Sequence, residues 1–333
     1  MKARRSRGVV LVSVLLVVAL LTAVVYQLVE RHSLAIAQSR NGFGYDQALA
    51  YALGAETFAR QILFEDFSET DPAYDTLMED WAQPLMPFDL DDGGKLEMSV
   101  SELNHCFNMN ALGHESNEQV MVQFKRLLRN LSLPEPLADA WRDWVDADED
   151  ITGFGAEDGD YLLEEVPYRA ANQLAGHVSE STLVKGMDAE VMEVLAPHIC
   201  VLPDDELWLN VNTASPQVLS ALNDNVDEMG LVALAEEPRE FEDVGEFTQN
   251  FQELVPVAQV LKVTSAYFEV QVRAQIGDST AVLTSLLHRD PEDGRITLLQ
   301  RDMGRDFRSA LAIDDEATAR AGTNASERDD RVL

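Results

Sequence analysis

The stretch RSRGVVLVSVLLVVALLTAVVYQLVER, residues 5–31, decides how the rest of the chain is read. From Val9 to Val29 it is almost wholly apolar, interrupted by Ser13, Thr22, Tyr26 and Gln27. That length suffices for one helix across a bilayer. The stub before it carries Lys2, Arg4, Arg5 and Arg7, whereas the twenty residues after it carry only Arg31 and Arg40 as bases. The positive-inside rule therefore makes the stub cytoplasmic and exports the remainder. A cleaved signal peptide is the competing reading. Its apolar region spans about 7–15 residues and ends in a small-residue cleavage site.

Here the run instead continues into LAIAQSRNGFGYDQALAYALGAETFARQIL, residues 34–63. Leu49, Leu53, Glu56 and Arg60 recur at helical spacing, and Ala48, Ala52, Ala55 and Ala59 form a small-residue stripe. The spacing predicts one long helix, half in a membrane and half packed on an exported domain, with a break at Asn41–Gly44 (NGFG). Residues 66–94 are acidic and punctuated by Pro72, Pro84 and Pro87, which predicts loops with short helices. KLEMSVSELNHCFNMN, from residue 95, alternates and reads as a strand.

From about 111 to 262 the apolar residues fall at helical spacing, with Ser179 and Ser215 as N-cap candidates and Pro216 following the second. From Thr264 the period becomes two, over SAYFEVQVRAQIGD, STAVLTSLLHR and RITLLQRD, joined by turns. The expected fold class is α+β: a long N-terminal helix packed on a small antiparallel sheet, with a large inserted all-helical domain. The expected units are a leader (1–8), a membrane helix (9–29), the first part of the sheet domain (30–110), the insertion (111–262), the closing strands (263–303) and a disordered tail (304–333).

The chain has 333 residues, 46% of them hydrophobic, and a formal net charge of -34. Such a surface repels phosphate backbones, so no nucleic-acid partner is expected. The six histidines form no HExxH pair and no zinc spacing, and there is neither a GxSxG elbow nor a P-loop. No catalytic residue and no enzymatic activity are therefore expected. The two cysteines, Cys106 and Cys200, are either buried thiols or a disulfide; export favours the bond.

One segment stands apart. DWVDADEDITGFGAEDGDYLLEE, residues 143–165, holds ten acids and no base. Asp146, Asp148, Asp150, Thr152 and Glu157 occupy positions 1, 3, 5, 7 and 12 of a twelve-residue frame, the oxygen-ligand spacing of a calcium loop. Position six is Ile151 where an EF-hand needs glycine, so a looser calcium loop is expected, with Asp158 and Asp160 as further donors. CFNMNAL (106–112) and LNVNTAS (209–215) echo each other, each setting Asn-x-Asn at a helix start. The second also resembles a helix-hairpin-helix motif. It raises the alternative of an anchored DNA-handling protein, which the acidic balance opposes.

A basic stub ending in Gly8, an apolar helix and an amphipathic continuation resemble type IV pilin-like proteins. FNMNAL, WVDADED, GAEDGDYLLEEVPYRAANQ and LNVNTASPQVLSAL, in that order, resemble one subgroup, the general secretion pathway protein K family of type II secretion minor pseudopilins. The resemblance implies cleavage by a prepilin peptidase between Gly8 and Val9 and methylation of Val9. It implies a pilin-like domain with a helical insertion, and bound calcium. It also implies a place at the tip of a periplasmic pseudopilus with minor pseudopilins I and J. Carried onto this chain, the calcium ligands are Asp146, Asp148, Asp150, Glu157 and Asp158. Ser13 stands where most pilins carry a glutamate that neutralises a neighbour's amino terminus. A leading subunit has no such neighbour, so the departure fits the tip.

Overall fold

The structure, a computed structural model, describes residues 6–69, 73–83, 85, 87–90, 93–114 and 118–304. The leader up to Arg5 and the tail from Arg305 lie outside the described residues. Helix α1 spans Ser6–Glu69, followed by strands β1 (Phe88–Asp89), β2 (Lys95–Glu102) and β3 (Phe107–Asn108). Then come α2 (Glu118–Asn130), α3 (Pro136–Val145), α4 (Asp158–Tyr161), α5 (Ala189–Leu195), β4 (Ile199–Cys200) and β5 (Leu209–Asn210). Helices α6 (Pro216–Ser220), α7 (Glu228–Leu234) and α8 (Val244–Asn250) precede β6 (Leu261–Lys262), β7 (Tyr267–Ile276), β8 (Ser279–Arg289) and β9 (Ile296–Asp302).

Helix α1 is continuous through Asn41–Gly44, where the sequence suggested a break. A helical glycine costs only about 1 kcal/mol. Gly44 in fact allows a close approach: a Cβ there would lie 2.8 Å from the Ser279 hydroxyl. That hydroxyl donates to the Asn41 carbonyl at 3.2 Å and ties α1 to the β7–β8 turn. Over Val10–Val29 the large apolar side chains are exposed, half or more of each surface, as a bilayer-facing helix requires.

Further along, the predicted stripe is buried: Ala48, Ala52, Ala55 and Ala59, then Leu63. It lies on one face of an antiparallel sheet of order β1-β2-β7-β8-β9. Phe268, Val270, Val272 and Ala274 of β7 and Ala281, Leu283 and Leu287 of β8 meet it, alternate residues as the strand period demands. Small side chains let the helix sit close, and one acid locks it. Glu56, fully buried, accepts from Ser285 Oγ at 2.7 Å and from Arg301 Nε and Nη2 at 2.8 and 2.9 Å. Burial pushes its carboxyl up, but the Arg301 and Ser285 bonds outweigh that and hold it below its ordinary value.

The insertion leaves the sheet at Glu102 and returns at Tyr267, adjacent positions in the β2–β7 register. That end lies beside Arg289, which approaches Asp66 of α1 at 3.5 Å. The opposite end holds Ser279 against Asn41. At 1.5 Å rise per residue, the insertion is therefore mounted ~38 Å further from the apolar run than the β7–β8 turn. The inserted domain begins upstream of residue 111, since Phe107 and Met109 are already part of its core. The alternation through NHCFNMN misled the reading, because β2 ends at Glu102 and a separate short strand follows.

Nor is the domain purely helical: β3 pairs with β4, and β5 with β6, both parallel and two residues long. These pairings explain the Asn-x-Asn echo. Asn110 accepts from the Ala175 amide and donates to the Ala175 carbonyl, both at 2.9 Å. Asn212 grips Phe241 in the same way, at 2.8 and 3.0 Å. Asn108 and Asn210 each accept from the amide two residues on. The insertion is thus two copies of one strand–clamp–helix unit. Ser215 caps α6 as expected, through the Val218 amide. Ser179 does not cap; His177 Nδ1 accepts from the Ser179 amide instead.

Candidate metal centre

The acidic loop leaves α3, which is held by Trp141 and Trp144 in the insertion core. Two acids on α3 shape it. Asp143, with no exposed surface, accepts from the Thr152 amide at 3.0 Å. Asp139 accepts from the Phe154 amide at 3.1 Å and pairs with Lys125 Nζ at 2.6 Å. A Cβ at Gly155 would run into the Asp143 carboxylate and the Asp139 carbonyl, so only glycine lets the loop fold back this tightly. The displaced glycine is therefore a packing requirement, absent from an EF-hand frame.

Folding back brings Asp146, Asp148 and Glu157 together, with one oxygen of each within 4.8 Å of the others. Asp146 and Glu157 are buried and Asp148 is exposed. Glu157 is 4% exposed, and neither carboxylate oxygen has a hydrogen-bond partner among the described residues. Burial, then Asp143, Asp146 and Asp148, push its carboxyl up to about 7. Arg142 is the nearby base, 3.9 Å from Asp146.

A buried carboxylate left unbonded is costly, and three in contact are costlier. The donor set is all oxygen, which suits a hard divalent cation such as calcium. These residues therefore fit the ion that the resemblance implies. Two expected ligands are not in the cluster. Asp158 accepts from Arg169 Nη1 at 2.6 Å and from the Ala170 amide at 3.0 Å, so it fastens the return of the loop. Asp150 is exposed, and its amide donates to Asp148. The Asp143 bond to residue 152 turns the chain away from the twelve-residue frame. Asp139 and Asp143, which the sequence reading did not single out, brace the site from α3; their spacing of four was the available signal.

A second carboxylate cluster, Asp66, Asp75 and Glu79, lies at the junction of α1 with the insertion. It already holds a cation, Arg289, which is 1% exposed and bonds Asp75. Burial leads in raising Asp66 to about 6 and Glu79 to about 7. Cys106 and Cys200 are joined by a disulfide beside this junction. Ser13 Oγ donates to the Val10 carbonyl at 2.9 Å, within α1. Gly8 and Val9 lie in the first turns of the same helix.

A family model described as type II secretion system (T2SS), protein K, matches residues 105–204. Type II secretion system protein K of Pseudomonas aeruginosa is 38% identical, over 91% of this chain and 94% of that protein. The protein of the same name from Pectobacterium carotovorum is 34% identical, over 90% and 97%. A chain from the GspK-GspI-GspJ complex of enterotoxigenic Escherichia coli superposes with a TM-score of 0.71 at 27% identity, covering 81% of this chain and all of that one. With relatives matching end to end and the same architecture, the chain belongs to the type II secretion system protein K family, the minor pseudopilins.

Proposed function

We propose that this chain is the leading subunit of a type II secretion pseudopilus. In this reading it starts assembly with I-type and J-type minor pseudopilins and has no catalytic role. Prepilin peptidase cuts between Gly8 and Val9, and the new terminus is methylated. Helix α1 holds the chain in the inner membrane, with the stub cytoplasmic and the bulk periplasmic. The observation that carries the reading is the mounting of the insertion, a second domain set past the end of the sheet farthest from the apolar run. A subunit stacked above would meet that domain. A subunit joining from below meets only α1 and the sheet. Ser13 is consistent with this, since a buried glutamate without a partner terminus would be costly.

The first test is the amino terminus of the protein recovered from membranes. N-methylated Val9 is the expected start, and a start downstream of Ala23 would overturn the reading in favour of a signal peptide.

In the same proposal Asp146, Asp148 and Glu157 hold calcium. Bound there, calcium supplies charge neutralisation, and the loop then stays folded against α3. Full-length protein in detergent, stripped with chelator, should melt higher when calcium returns. At a hundredfold excess over Kd the gain is about 2.7 kcal/mol. Glu157→Gln should abolish the gain, and an unchanged melting temperature in the parent chain would remove calcium from the account.

A further inference from the structure

The candidate metal centre offers three carboxylates, Asp146, Asp148 and Glu157. Calcium takes about 6–8 oxygens, drawn from carboxylates, carbonyls, amide oxygens and water. One further oxygen lies beside the loop. Asn172, on the return segment after α4, donates its backbone amide to the Trp144 carbonyl and its Nδ2 to the Asp148 carbonyl, both at 3.0 Å. Its Oδ1 is buried and has no hydrogen-bond partner among the described residues. Other asparagines of the insertion differ. Asn108, Asn110, Asn210 and Asn212 each use Oδ1 to accept from a backbone amide. The side-chain amide of Asn172 gains nothing by turning over, because Oδ1 would then oppose the Asp148 carbonyl, oxygen against oxygen. Its backbone is left-handed, with φ 45°, a conformation that asparagine tolerates better than most side chains.

Given the calcium reading above, on which this rests, we propose that Asn172 supplies a further protein ligand, its Oδ1, to the ion held by Asp146, Asp148 and Glu157. The Asp148 carbonyl holds Nδ2 and so turns Oδ1 away from itself, on a side chain fastened to the same short segment that carries Asp146 and Asp148. A buried amide oxygen without a donor and the unbonded carboxylate of Glu157 have one remedy in common, a cation. A neutral oxygen suits the place, since a fourth carboxylate would add repulsion to a loop where three already meet. The ion then joins the end of α3 to the return segment, just before Ala175, which Asn110 grips.

The test uses full-length protein in detergent, stripped with chelator, and two probes, calcium and terbium. Calcium affinity is read by titration calorimetry. The terbium emission lifetime, compared in light and heavy water, counts the waters on the ion. Asn172→Gly suits the left-handed backbone and removes the oxygen, whereas Asn172→Asp keeps an oxygen there. Both lose the Nδ2 bond to Asp148, so an effect of that bond alone appears in both. Asn172→Gly should weaken calcium binding by roughly tenfold or more and add about one water to terbium. Asn172→Asp should keep the parent water count and bind calcium at least as tightly as the parent, while melting lower without metal. Should the glycine variant not fold, the aspartate variant decides alone: parental affinity and water count support the ligand, and weaker affinity or an added water overturns it. Equal losses in both variants, or a glycine variant with parental affinity and water count, would overturn it as well. A parent chain that binds neither probe would instead remove the calcium reading, and this ligand with it.

Discussion

Replacing Arg289 with methionine should destabilise the chain by about 3–5 kcal/mol, the usual cost of removing one partner from a buried ion pair. Arg289 and Asp75 are each 1% exposed. The guanidinium also reaches the Ser265 carbonyl at 3.0 Å and lies over the rings of Phe67 and Phe268, 5.2 and 4.7 Å from their centroids. Methionine keeps much of that packing and removes the charge, so the loss reports the charge. What it strands is the joint between the two domains. The Asp75 amide donates to Val263 at 2.7 Å, its carbonyl accepts from Asn210 at 3.1 Å, and its carboxylate accepts from the Ser265 amide at 2.6 Å.

Two controls separate charge from shape. Adding Asp75→Asn to Arg289→Met should cost less than the sum of the single changes, because the stranded charge is then gone. Lowering the pH should also narrow the gap between variant and parent. Burial has raised Asp66 to about 6 and Glu79 to about 7. A carboxyl whose folded value is raised penalises the fold above that value, and the penalty is relieved as pH falls through it. Arg289 holds the Asp66 carboxyl down, so without it that group rises further, and the deficit measured by urea unfolding should be largest near pH 8 and shrink below about pH 6. A deficit that stays constant with pH would mean that packing alone was lost.

That joint was not legible in the sequence, and the reason is physical. Arg289 lies far along the chain from Asp66, Asp75 and Glu79, and 59 acids offer no way to choose those three. What was legible had a period. The alanine stripe of α1 and the alternation of β7, β8 and β9 each repeat a local geometry, and each was found where expected. The helix break at Asn41–Gly44 failed because local propensity argued from glycine alone, while Ser279 on a distant turn needed the space that Gly44 leaves. The acidic loop lies between these cases. Spacing drew attention to Asp146, Asp148 and Glu157, which do meet, but the frame also named Asp150, and the resemblance added Asp158. Their exclusion depends on how Asp139 and Asp143 bend the chain, a tertiary effect that no linear frame encodes. The Asn-x-Asn echo was visible as a pair of caps; its larger meaning, a repeated clamp on Ala175 and Phe241, needed the contacts.

Replacing both cysteines with serine should cost about 4–5 kcal/mol in the chain-entropy account, because the Cys106–Cys200 bond closes a loop across a sequence separation of 94. For a chain of this size that lowers the melting temperature by roughly 10 °C. The bond sits where it constrains most. Cys106 directly precedes β3 and Cys200 ends β4, so it fastens the first and last strands of one repeat unit. The β3–β4 pairing and the Asn108 bonds to Leu202 and Glu206 remain in the variant, so the native fold keeps its contacts and the unfolded chain gains freedom. The two origins of stability then predict different unfolding curves. If the bond acts on the unfolded state, its loss lets that state expand, and the denaturant slope m should rise while the midpoint falls. If it acts by holding native contacts, the midpoint should fall at constant m. The first pattern is expected, because the sulfurs lie among Leu202, Ala266 and Tyr267, in packing that serine largely preserves.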